Sequence, residues 1–159
     1  MKKWSMIVLL FVFVAIWQAV SVYRAAMAPK ETLIAKAEQR AMEEANLSHI
    51  QAANTYYGEK AYVVVEGTDK KGTKKIVWVP ANGGHIVVKR AKSGITKQEA
   101  IEKLKADRQP KEIISAKLGM EKGVPLWELT YIEQDNRYSF YYLSFADGAF
   151  LKRYSFQQS

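Results

Sequence analysis

The chain has 159 residues, no cysteine, and 24 basic against 16 acidic side chains, for a formal charge of +8. That length holds one ordinary domain or two small ones. The missing thiol excludes disulfides, zinc-thiolate sites and cysteine nucleophiles together.

Residues 1–3 form a short basic tail, Met1-Lys2-Lys3, and residues 4–23 then read WSMIVLLFVFVAIWQAVSVY, with no ionisable side chain before Tyr23. Such a stretch, as a helix, spans roughly 30 Å, the thickness of a bilayer's hydrocarbon core. Trp4, Trp17 and Tyr23 lie towards its ends, where amphipathic rings favour the headgroup region. Lys2 and Lys3 predict a cytoplasmic N-terminus, with Arg24 onward outside the cell membrane. The competing reading is a cleaved signal peptide, with Ala26-Met27-Ala28 as its cleavage site. Against it stand the length of the apolar run and Pro29 just after the cut, whose fixed φ resists an extended protease-bound backbone. A retained anchor is the expectation. An exported, cysteine-free domain held by packing alone suits a Gram-positive surface.

From Pro29 to Asn46 the periodicity predicts a helix that starts at the proline, with Leu33, Ile34, Ala37, Ala41, Met42 and Ala45 on its apolar side. Strands are predicted over residues 50–57, 61–67, 75–80 and 85–90, the second rich in β-branched and aromatic residues. Asn82-Gly83 marks a hairpin, and Gly72 a second turn. After a short hinge at 91–95, Thr96-Lys97-Gln98-Glu99 is a capping box opening a second helix, with Ala100, Ile101 and Leu104 inward. Four more strands follow, over 112–119, 125–133, 138–145 and 150–156, with turns at Asp135-Asn136 and Asp147-Gly148.

The two halves repeat the same order. Glu59-Lys60 corresponds to Glu121-Lys122 and Ala81-Asn82-Gly83 to Ala146-Asp147-Gly148, at offsets of 62 and 65 residues. The predicted class is therefore α+β: a membrane helix followed by two modules, residues 24–92 and 93–159, each a helix on a curved antiparallel sheet. With a five-residue hinge, the modules are expected to touch.

Of the 24 basic residues only Lys2 and Lys3 precede the apolar segment, so the remainder carries 22 against 16 acidic. Lys70, Lys71, Lys74 and Lys75 flank one turn, and Lys89, Arg90 and Lys92 follow a strand. Such clusters attract polyanions or simply form a solvated face. Nucleic acid is not expected outside the cytoplasm. His49 and His85 have no metal-ligand spacing, and no nucleophile elbow is present. Ser93 and Ser115 are the serines weighed for a Ser-Lys pair. Glu128 with Glu133, and Glu66 with Asp69, are the carboxylate pairs weighed for glycan cleavage. Neither set has a supporting pattern, so no catalytic residue, cofactor or metal is predicted. Asn46-Leu47-Ser48 is read as a helix-ending turn. The segment with Tyr138, Phe140, Tyr141, Tyr142 and Phe145 is aromatic on both faces by strict alternation. One face should pack on the second helix. The other should meet the first module or a partner, for which Tyr138 and Tyr142 are the proposed contacts.

The second module resembles a PepSY domain, through Ile95-Thr96-Lys97-Gln98-Glu99-Ala100, then Trp127-Glu128-Leu129-Thr130-Tyr131, then Asp147-Gly148. The whole layout resembles the TseB-like cell wall elongation regulators of Gram-positive bacteria. The resemblance implies a non-catalytic, membrane-anchored regulator whose partner is a membrane-bound penicillin-binding protein. Alternatives are a sensor of anionic wall polymer, through Lys70, Lys71, Lys74, Lys75, Lys89 and Arg90, and a PepSY-type peptidase inhibitor or chaperone.

Overall fold

The computed structural model describes the backbone of residues 2–157, and the side chains of residues 11–23 and 30–157. The first element is one continuous helix, α1 (Lys2–Glu44), of 43 residues and about 65 Å at the α-helical rise. The expectation of a separate helix beginning at Pro29 is thereby corrected. Arg24, Ala25, Ala26, Met27 and Ala28 are good helix formers, and proline's own φ is helical, so the two segments join. The side chains of Trp4, Pro29 and the suggested cleavage site lie outside the described residues. Among the described residues, no helix is long and apolar enough to cross a membrane. Within residues 11–23, Phe11, Phe13, Ile16, Trp17 and Tyr23 are all exposed.

The distal part of α1 packs through Ala37 and Ala41, and Ala45 just past its end continues the stripe, all three buried, with Leu33 and Ile34 beside them. These small side chains let the helix lie close on a sheet. Met42, expected in the same stripe, faces solvent instead. Asn46 ends the helix at φ 54, a left-handed conformation that asparagine tolerates.

The first sheet is an antiparallel meander of β1 (Leu47–Tyr57), β2 (Ala61–Asp69), β3 (Lys74–Pro80) and β4 (Val87–Arg90). Strand β1 starts three residues earlier than predicted. Strand β4 starts two later, leaving His85 and Ile86 in the loop that precedes it. Arg40 of α1 holds that loop, donating to the Gly84 carbonyl at 2.9 Å. After a 3-10 turn (Ala91–Ser93), α2 (Lys97–Arg108) opens with the predicted capping box: Glu99 N–H donates to Thr96 Oγ1 and Thr96 N–H to the Glu99 carboxylate. The second sheet is a meander of β5 (Glu112–Glu121), β6 (Val124–Ile132), β7 (Tyr138–Ser144) and β8 (Phe150–Phe156), with Ala100 and Leu104 of α2 buried on one face.

The two modules share a core. Side chains alternate across a strand, so Val63, Val65, Val77 and Val79 face α1, while Val64, Ile76 and Trp78 face the second module. Those three sit in one cluster with Leu118, Met120, Leu126, Trp127 and Phe145. Trp78 is fully buried and its Nε1–H donates to the Gly119 carbonyl at 2.8 Å. Its ring meets Phe145 edge-on, with centroids 5.5 Å apart. Tyr56 lies on the backbone of Gly119 so closely that a Cβ there would stand 2.4 Å from its ring. Glycine is required at this crossing. The first sheet is thus covered on both faces, by α1 and by the second module.

Candidate functional site

The predicted basic cluster is divided by the sheet. Register pairs Lys75 with Arg90 and Ile76 with Lys89. Lys75 and Arg90 therefore share the α1 face of the first sheet, whereas Lys74 and Lys89 point to the opposite face. On the α1 face, Lys70, Lys71, Lys75 and Arg90 surround a basin of about 540 Å³, with Asp69 and the exposed Met42 on its wall.

Lys75 is not free for a ligand. Its ammonium donates to the Ala45 carbonyl at 3.0 Å, beyond the end of α1, and pairs with Asp69 at 3.3 Å. A cation there complements the negative end of the helix dipole. Asp69 also accepts from the amides of Lys71 (2.9 Å) and Thr73 (3.0 Å). The Thr73 amide, followed by the Lys71 amide and Lys75, holds its carboxyl below the usual range despite some desolvation. The charges left available in the basin are Lys70, Lys71 and Arg90.

On the second sheet, Tyr142 and Tyr138 differ in role. Tyr142 is buried, with Tyr154 edge-on at 6.0 Å and the Lys152 ammonium 4.5 Å above its ring. Burial pushes its phenol well up, and Glu128 adds to the rise by charge and hydrogen bond. Tyr138 is half-buried, edge-on to Phe140 at 5.3 Å. Beside them Tyr154 is 48% exposed and Phe156 57%. An unplanned link ties this face to the first module: Tyr56 donates to Glu121 at 3.2 Å, and Lys152 pairs with the other oxygen of the same carboxylate. Desolvation, then the charges of Glu128 and Glu121, raise the Tyr56 phenol far above its normal range.

The carboxylate pairs separate. Glu128 lies on the Tyr142 face, while Glu133 accepts from Ser139 (2.6 Å), Arg137 (2.9 Å) and Arg153 (3.1 Å) at the end of the sheet. Burial alone would raise Glu133, but the Ser139 hydroxyl and the two guanidiniums outweigh it and hold the carboxyl low. Tyr141, on the α2 face, donates to Asp107 at 2.7 Å, and burial with this bond pushes its phenol up to about 12. Ser93 Oγ is spent on the Arg90 carbonyl at 2.7 Å. His49 and His85 are both exposed, on β1 and in the β3–β4 loop. Among the described residues, no three His, Cys, Asp or Glu side chains converge as metal ligands would.

Between the modules runs a groove of about 420 Å³. Asn54, Val64 and Glu66 of the first sheet form one wall, and β5 around Ile114–Leu118 forms the other, with Lys97 and Trp127 beside it. Sequence reasoning missed this feature. The available signal was the unbroken apolar runs Val63-Val64-Val65 and Ile76-Val77-Trp78-Val79, which mark strands covered on both faces.

Residues 36–80 match the model of the cell wall elongation regulator TseB-like domain, from the last turns of α1 to the end of β3. A Bacillus subtilis (strain 168) protein named "Probable cell wall elongation regulator TseB" is 39% identical over 133 residues, covering 83% of each chain. The chain belongs to the TseB-like cell wall elongation regulator family. The solved structure of the YpmB protein from Bacillus subtilis is also similar, at 37% identity and a TM-score of 0.73, covering 76% of this chain and 94% of that one. In this TseB-like chain the similarity reaches beyond the family domain into the second module, since 133 aligned residues cannot fit within either half.

Proposed function

We propose that this TseB-like protein is a non-catalytic regulator of cell wall elongation, anchored in the cell membrane by residues 4–23, that binds a membrane penicillin-binding protein through its outer modules. The observation carrying this reading is the 39% identity, over most of both chains, to a relative named for regulating wall elongation. The exposed apolar side chains of residues 11–23 support the anchor, because such a surface is costly in water and stable in lipid. The shared core supports a binding role, since modules packed on one another present their surfaces to a partner together. Confinement to the membrane raises the effective concentration of partners there, so modest contacts suffice.

The test uses intact cells and the full chain. An amine reagent that cannot cross the membrane should label lysines of both modules, and deleting the gene should alter cell length or width. Shielded lysines together with unchanged cell shape would overturn the proposal. A second reading, binding of an anionic wall polymer, is favoured by the basin that collects Lys70, Lys71 and Arg90.

A further inference from the structure

We infer that the inter-module groove takes up an extended, acidic segment of the wall-synthesis partner as an added strand on β5; this inference rests on the function proposed above. The backbone carries the argument. Strand β5 has one ladder neighbour, β6. Their hairpin turns through Lys122 (φ 49) and Gly123 (φ 78), a two-residue loop with both φ angles positive. Such a loop makes the flanking pair, Glu121 and Val124, the closing hydrogen-bonded pair.

Alternation along an antiparallel ladder then assigns every residue. Gly119, Lys117 and Ser115 turn their amides and carbonyls to β6, the Gly119 carbonyl accepting from Trp78 as well, while Met120, Leu118 and Ala116 turn theirs to the other edge. Two observations agree. Pro125, which has no N–H, stands opposite Met120, and its carbonyl accepts from Phe145 on the far side of β6. Among the described residues, no backbone hydrogen bond beyond the sheet reaches Ala116 or Leu118. Both residues line the groove. Each therefore presents one donor and one acceptor to it, in the spacing that an incoming strand requires.

The side chains select the occupant. Lys97 and Lys117 flank the groove against one lining carboxylate, Glu66, with Glu128 opposite Lys117 on the β5–β6 ladder, and no hydrogen bond or ion pair within the described residues occupies Lys97, Lys117 or Glu66. Lys74 and Lys89 lie on the same face of the first sheet. The balance is cationic and favours an acidic segment. Ile114, bulged out of register and 46% exposed, offers an apolar anchor at one end. An open strand edge is ordinarily covered or blunted by charge; here the first sheet closes on it at Leu118 and Met120, both buried, and stands off it from Ala116 towards Ile114, where the groove leaves space.

The test compares the tagged full-length chain with Ala116→Pro and Lys97→Glu/Lys117→Glu, each purified from membranes in mild detergent. Captured penicillin-binding proteins are revealed by a fluorescent penicillin, which acylates their active serine. Proline at 116 removes an edge-facing N–H and leaves the β5–β6 ladder bonds intact. Wild type should capture a labelled protein, and both variants should lose roughly tenfold or more of it while keeping the wild-type melting midpoint. Should Ala116→Pro melt early, the charge variant, altered only at exposed side chains, decides. Equal capture by wild type and the deciding variant overturns the groove and leaves the proposed function standing. No capture by wild type overturns the partner assignment and this inference with it.

Discussion

Replacing Trp78 with alanine tests whether the two modules fold as one. The indole is fully buried between them, donates to Gly119 and meets Phe145 edge-on. Truncating a buried tryptophan costs about 3–5 kcal/mol in transfer and cavity terms. The hydrogen bond adds about 1 kcal/mol, giving about 4–6 kcal/mol. Against a typical domain stability of about 5–15 kcal/mol, that is a large fraction. At about 2–4 °C per kcal/mol for a chain of this size, the melting midpoint should fall by about 10–20 °C. The distinguishing measurement is amide hydrogen exchange on the full chain in detergent. Because Trp78 belongs to the first module but packs into the second, protection should drop in β6 and β7 as well as in β2 and β3. Unchanged protection in β6 and β7 would refute the shared core, whatever happened to the midpoint.

Glu133 should govern part of the acid sensitivity. Its folded pKa is held below its ordinary 4.5, so its contribution is present above about pH 4.5 and disappears as pH falls through the lower folded value. Glu133→Gln should therefore cost about 1–3 kcal/mol at neutral pH and flatten the decline of stability below pH ~4.5, read from urea midpoints across pH; an unaltered acid profile would remove Glu133 from the account. For the basin, Lys70→Glu/Lys71→Glu should abolish any salt-sensitive binding of a soluble poly(glycerol phosphate) to the full chain and leave its melting midpoint unchanged, since neither side chain holds a partner among the described residues. Binding that persists in this variant, or ignores salt, would exclude the second reading.

Short-range features were legible because their chemistry is local. Thr96 and Glu99 cap α2 within one turn, Asn46 ends α1 in the left-handed region, and the repeated Glu-Lys and Ala-Asn/Asp-Gly signals fall on corresponding turns of two meanders. Alternation also separated Tyr141 from Phe140 and Tyr142 correctly. The predicted hairpins at Asn82-Gly83 and Asp147-Gly148 are longer loops, in which only the glycines carry positive φ. Local preference names a turn without fixing its length.

What the order of residues determined by itself was the content of the two modules: which segments are helix or strand, where they turn, and that a long apolar stretch precedes them. Tertiary structure alone decided how the surfaces are composed. Lys74 and Lys75 are neighbours in the chain, yet pleating sends one to the groove side and the other to the α1 basin, and only strand pairing tells which basic residue joins each. Trp78 and Gly119 meet across 41 residues. No local preference of either residue announces that meeting, because it comes from two sheets burying their apolar faces against each other.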